Sequence, residues 1–328
     1  MKLAIYLLIA GLSAYAGAAE KITLMVSGID KMIYLPAKLA EQLGYLKETG
    51  LDIELLSEPA GSNAETEMLS GVAQGVIGFY DHTISLQARG KLVQSVVQFT
   101  HAPGEALVIS QTASATVKSP ADLKNRTLGV TGLGSSTFHL TRHIVAKAGL
   151  KATDYKIVPA GAGTQFMAAM AKGAIDAGMT TEPTISWMVA NGSAKILVDL
   201  RTTSAAEAVL GGPYPGACLY MPTTWVNKHK DQVRKIAGAF VKALGYIRTH
   251  SAEDIADKMP KNFHGPDRQL YIKTIEDSKP MFTADGRMPE SGPATVLRVL
   301  SGSDKAVQGK SVNLANTFTN QFVTSSNP

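Results

Sequence analysis

KITLMVSGIDKMIYLPAKLAEQLGYLKETGLDIELL, residues 21–56, decides the fold class. Its opening run, residues 21–28, is apolar, closes on Gly28 and reads as a buried strand. Leu35, Leu39, Leu43 and Leu46 then recur at helical spacing, with Pro36 in the first turn and Gly44 near the end. LDIELL (51–56) is a second strand. A strand, a helix and a strand in this order imply parallel pairing, with a ligand crevice at the carboxyl ends of the strands.

The same rhythm continues outward. NAETEMLSGV (63–72) reads as a helix, and GVIGFYDHTI (75–84) as a short strand running into a loop. KLVQSVVQF (91–99) and EALVIS (105–110) read as further strands. After a polar link, QTASATVKSPADLKN (111–125), strand RTLGVTG (126–132) precedes a helix through Leu150. Strands 155–161, 174–180 and 194–200 alternate with helices 164–173 and 183–192 to complete a second unit. GGPYPGA (211–217) breaks the pattern and CLYMPTTW (218–225) follows. Val233, Ile236, Phe240, Leu244 and Ile247 then mark an amphipathic helix, and 266–280, 293–301 and 315–323 read as more helices. The expected organisation is residues 20–110 as the first part of lobe 1, 111–215 as lobe 2, and 216–328 as the return strand and C-terminal helices of lobe 1. Lobes joined by two crossings can hinge around a cleft.

The amino terminus carries Lys2, an apolar core Leu3–Leu12 and small residues at signal-peptidase spacing, Ala14-Tyr15-Ala16 or Ala16-Gly17-Ala18. Residues 1–19 therefore read as a cleavable signal peptide, too short to span a membrane. One cysteine, Cys218, cannot form an internal disulfide, so stability must come from a core. Without Lys2 the chain holds 31 basic and 27 acidic residues (32 − 1 against 27), spread without basic clusters, so nothing asks for nucleic acid.

GLGSSTFHLTRH (132–143) offers three chemistries. A glycine-rich turn opening a helix can hold an anion on free N–H groups and hydroxyls, although Ser135 or Ser136 could equally cap the helix without a ligand. It is not a Walker loop, because the Gly-Lys-Ser/Thr ending is absent, and it lacks the second glycine of the nucleophile elbow. His139 and His143 share a helix face, but a zinc site would need a third ligand and the H-E-x-x-H glutamate is replaced by Leu140. No metal and no cofactor is expected. Glu182 before Pro183 reads either as a first-turn acid or as an acceptor for a ligand donor. Asp81 and His82 admit the same two readings, since Asx residues also build turns.

YLPAKLAEQLGYLKETGLDIEL, DLKNRTLGVTGLGSST, AIDAGMTTEP and ILVDLR together resemble the periplasmic substrate-binding proteins of the nitrate/sulfonate/taurine class, a family that includes thiamine-pyrimidine-precursor binders. The resemblance runs from about residue 22 to 250. It implies an α/β, two-lobe type II periplasmic binding protein fold with two hinge crossings, which closes on a small molecule and delivers it to an ABC permease and ATPase. It places ligand residues in the loop after the first strand (Gly28, Asp30, Met32, Tyr34) and after the third (Tyr80, Asp81, His82, Thr83). In lobe 2 it implicates Gly134, Ser135, Ser136, Thr137 and Phe138, with Glu182-Pro183. Thr100, His101, Gly212 and Tyr214 are its hinge-side candidates. The expected protein is a periplasmic monomer that binds a small organic anion (a sulfonate, a carboxylate or a polar heterocycle) and is not an enzyme. A sensory module for a membrane receptor is the alternative. A pyrimidine-synthase-like enzyme is a more distant one, because those synthases carry a Cys-rich iron motif and this chain has Cys218 alone.

Overall fold

A computed structural model describes residues 21–323; the signal-peptide expectation for residues 1–19 lies outside them. Ten strands run in chain order: β1 (Ile22–Val26), β2 (Ile53–Ser57), β3 (Gly75–Phe79), β4 (Val93–Gln98), β5 (Glu105–Ser110), β6 (Thr127–Val130), β7 (Lys156–Pro159), β8 (Ala177–Thr181), β9 (Ala194–Leu200) and β10 (Ala217–Pro222). They form two five-stranded sheets, ordered β2-β1-β3-β10-β4 and β7-β6-β8-β5-β9. β1 pairs in parallel with both β2 and β3, and β6 with both β7 and β8, as the strand–helix–strand pattern predicts.

Each sheet also contains one reversed strand, which the parallel expectation did not foresee. β10 runs antiparallel to β3 and β4, and β5 antiparallel to β8 and β9. β5 therefore belongs to the second sheet, and the chain crosses between lobes at residues 99–104, before the link at 111 on which the sequence boundary was set. A strand inserted from the other lobe carries the same apolar signature as its neighbours, so composition cannot reveal which sheet owns it. The return crossing occupies 211–216. The two crossings lie side by side: Thr100 N–H donates to Ala217 O (3.2 Å), Gly216 N–H to Thr100 O (3.2 Å) and Ala217 N–H to Thr100 Oγ1 (2.9 Å). A Cβ on Gly216 would lie 2.7 Å from Ala102 O, so only glycine permits this approach.

Helices cover the sheets. The 20-residue helix Lys230–Thr249 buries the predicted face, with Val233, Ile236, Phe240, Leu244 and Ile247 at most 1% exposed, and packs on the helix Leu35–Gln42. Asp81–Ala88, expected as a loop, is a helix whose first six residues are all buried. A helix enclosed on all sides has no apolar stripe, which is why periodicity missed it. Residues 315–323 contain no α-helix: a short turn at Leu314–Asn316 is followed by a bridge from Phe318 to Ser95. The helix Gly292–Ser303 lies against both Asp81–Ala88 of lobe 1 and Ser136–Lys147 of lobe 2. Its Arg298 Nη2 donates to Leu210 O and Gly211 O (3.0 Å each), holding the return crossing.

Candidate functional site

The carboxyl ends of the central strands face each other across the cleft, and the lobes touch there. Met32 N–H of lobe 1 donates to Glu182 O of lobe 2 at 2.9 Å. A Cβ on Gly132 would lie 2.7 Å from the Ala60 Cβ of lobe 1, so the glycine-rich turn is cut to the shape of the opposing lobe. Behind these contacts lies a nearly closed chamber of about 10 Å³, room for about one water. Lys31, Ile33, Tyr34, Gly61, Phe79 and His82 line it from lobe 1. Glu105, Thr131, Ser135, Ser136, Thr137 and Thr181 line it from lobe 2. A wider cavity of about 840 Å³, the mouth of the cleft, is also lined by both lobes. Asp30, Glu58, Gly163, Met167, Trp187 and Asp267 are among its walls, and the segment 262–270 of the C-terminal region forms a third side.

The turn at 132–137 is assembled by its own hydroxyls. Thr137 Oγ1 accepts from Thr131 N–H (3.0 Å) and lies 2.7 Å from Ser135 Oγ, which also donates to Gly132 O (2.7 Å). Ser135 is the N-cap residue of the helix Ser136–Lys147, yet its side chain caps no amide. The amides of Phe138 and His139 go to Ser135 O, which leaves those of Ser136 and Thr137 with no acceptor among the described residues. Helix N-terminal amides attract anions, and here they belong to residues that line a chamber shared with a lysine.

Burial sets the electrostatics. Lys31, 6% exposed, donates from Nζ to Ser27 O (2.6 Å) and Pro59 O (3.1 Å); burial pulls it down to about 8, against the nearby Asp30 and Glu105 carboxylates. Burial pushes Glu105 up to about 8, against its hydrogen bond from Ser136 and the charge of Lys31. Asp81 is held well above the usual carboxylate range by burial and by the Glu105 charge, and both its oxygens are buried without a partner. His82 is kept neutral, down to about 3, mainly by burial; its Nδ1 meets Tyr220 OH at 3.1 Å. Glu105 Oε2, Thr181 Oγ1 and Tyr214 OH are likewise buried and unpartnered among the described residues. Buried polar groups are ordinarily satisfied, so a cluster of orphans marks a place where something else binds.

The structure brings together Tyr34, His82, Ser135, Ser136 and Thr137 of the expected residues on the chamber wall. Asp81 and Tyr214 stand just behind it, each influencing Glu105 or influenced by it. Met32 supplies the inter-lobe amide and exposed Asp30 belongs to the mouth. Gly134 shapes the turn with φ +81°.

Four expectations need correction. Tyr80 turns away, its hydroxyl 2.5 Å from Thr317 Oγ1. His101 lies on the first crossing, its amide bonded to Met281 O (2.8 Å), outside both cavities. Phe138 packs under Arg142, 5.4 Å from ring centre to guanidinium, also outside the chamber. The Glu182 carboxylate is already occupied, accepting from Arg201 Nη1 (2.7 Å) and Ser186 N–H (2.9 Å). Lys31 and Glu105 were missed. The one signal was a charged residue heading an otherwise apolar strand, EALVIS, where an acid has no reason to be unless it is used.

The sequence model of the family described as NMT1/THI5 like matches residues 34–254. The chain is 28% identical over 241 residues to a Saccharomyces cerevisiae protein named 4-amino-5-hydroxymethyl-2-methylpyrimidine phosphate synthase THI13, covering 70% of this chain and 68% of that one. A solved structure from Bordetella bronchiseptica RB50 aligns with TM-score 0.88 at 33% identity, over 92% of this chain and 95% of that one. The alkanesulfonate-binding protein SsuA of Xanthomonas axonopodis pv. citri, bound to MOPS, aligns with TM-score 0.73 at 17% identity, over 92% and 99% of the two chains. The fold is thus the two-lobe fold of periplasmic binding proteins, as the resemblance implied.

Proposed function

The chain belongs to the NMT1/THI5-like family, and on that premise we propose that it is an extracytoplasmic solute-binding protein that captures a small organic anion by lobe closure for an ABC importer. The observation that carries this reading is the chamber, lined by both lobes and closed by contacts between them. Opening must separate Lys31 and Tyr34 from Ser135–Thr137, and closing on a ligand restores them. The unfilled amides of Ser136 and Thr137 with Lys31 favour a negative group. The 840 Å³ mouth leaves space for the rest of an organic molecule.

An enzyme reading draws on the yeast relative's name. Against it, Cys218 is the chain's one cysteine and is fully buried in β10. A sensory role would use the same closed form; a permease and ATPase encoded beside this chain favour import, and a histidine kinase favours sensing. Thermal-shift screening of sulfonates, carboxylates and pyrimidines tests the binding. A true ligand at 100 times its Kd raises stability by about 2.7 kcal/mol. A panel without any shift counts against the ligand class.

A further inference from the structure

We infer that Glu105 is a specificity-determining residue that makes the chamber select acids carrying a hydroxyl or amine donor beside the acidic group. The inference rests on the organic-anion reading above. Glu105 heads β5 at 1% exposure, and its Oε1 accepts from Ser136 Oγ at 2.6 Å. Ser136 is also the first residue of the helix whose open amides face the chamber. An anion on those amides therefore stands beside the Glu105 carboxyl, and two acceptors side by side repel unless a proton lies between them.

No side chain among the described residues donates to Glu105 Oε2. Two donations from Lys31 are spent on Ser27 O and Pro59 O. His82 uses Nδ1 on Tyr220, and Tyr34 makes no hydrogen bond to Glu105. Neither Thr181 Oγ1, on the strand beside Glu105, nor Tyr214 OH reaches a partner. Three acceptor oxygens stay empty: Glu105 Oε2 and both oxygens of Asp81. A donor on the ligand satisfies Oε2 while the acidic group takes the amides. The upward push on Glu105 is what a buried acid short of donors shows.

The test is isothermal titration calorimetry at pH 9, above the raised value of Glu105, with two probe pairs: 2-hydroxyethanesulfonate against ethanesulfonate, and glycolate against acetate. The wild type should prefer the hydroxylated member of a pair by about 10- to 100-fold, the worth of one hydrogen bond to a charged group. Glu105→Ala should bring the ratio to near one. Glu105→Gln, which keeps shape and one acceptor oxygen, should give an intermediate ratio and guards against a folding artefact. Equal affinity within a pair in the wild type, or a preference that survives Glu105→Ala, overturns the role of Glu105 and leaves the organic-anion reading standing. Binding of none of the four probes contradicts that reading, and this inference falls with it.

Discussion

Two glutamates stand at the same end of neighbouring strands and do opposite things. Glu105 opens β5 opposite Thr181, the last residue of β8, and Glu182 follows immediately. Both are buried, at 1% and 4% exposure. Glu182 is saturated by Arg201 and the Ser186 amide, whereas Glu105 holds one hydroxyl and leaves an oxygen empty. Burial alone does not identify a binding residue; an incomplete set of partners does.

The largest expected break in this comparison is Glu182→Ala. It strands a half-buried Arg201 that keeps only Asp199, and should cost about 3 kcal/mol in denaturant unfolding. Ligand affinity should stay within about threefold, a limit of about 0.65 kcal/mol, because the Met32 contact is to the Glu182 backbone. A loss of affinity larger than the loss of stability would return Glu182 to the site.

The turn divides in the same way. Thr137→Ala leaves the buried Thr131 amide unsatisfied and should cost about 2 kcal/mol of stability. Ser136→Ala leaves Glu105 Oε1 without its donor; it should cost about 1 kcal/mol and weaken the anion about tenfold, because the freed oxygen repels an anion on the neighbouring amides. Identical profiles for the two variants would demote the turn to a structural cap.

The most gradual effect is on pH. Glu105 is raised in the folded state, so its contribution is fully present below its unfolded value near 4.5 and is lost as pH rises to about 8. Histidines held neutral by burial act in the opposite sense, but only below their unfolded value of 6.5. Lys31, lowered to about 8, returns stability only between about 8 and 10.5. Ligand-free stability should therefore fall between about pH 6.5 and 8, with Glu105 contributing up to about 1.4 kcal/mol per pH unit. Asp81 adds to the fall, and Glu65, pushed up to about 7, adds to its start. Glu105→Gln should flatten the slope, and an unchanged slope in urea titrations would show that Glu105 ionises normally.

Much of the scaffold was legible. Leu35, Leu39 and the 233–247 stripe announce their helices because one face of each meets the core. The turn 132–137 was legible as a helix start because glycine and hydroxyl residues have few other uses at a strand end. The allegiance of β5 was not, since pairing with β8 and β9 is set by residues some 70 to 95 positions downstream. Lys31 and Glu105 were not, because charged residues read as surface until the opposing lobe covers them. Glu182 was misread for the same reason: its partner Arg201 lies beyond any local motif.

Small-angle scattering of the chain from residue 20 onward, with and without the anion selected by the thermal screen, tests lobe closure most directly. The radius of gyration should fall at saturating ligand, and Ser136→Ala should need about tenfold more ligand for the same fall. A scattering curve unchanged at saturation would contradict closure.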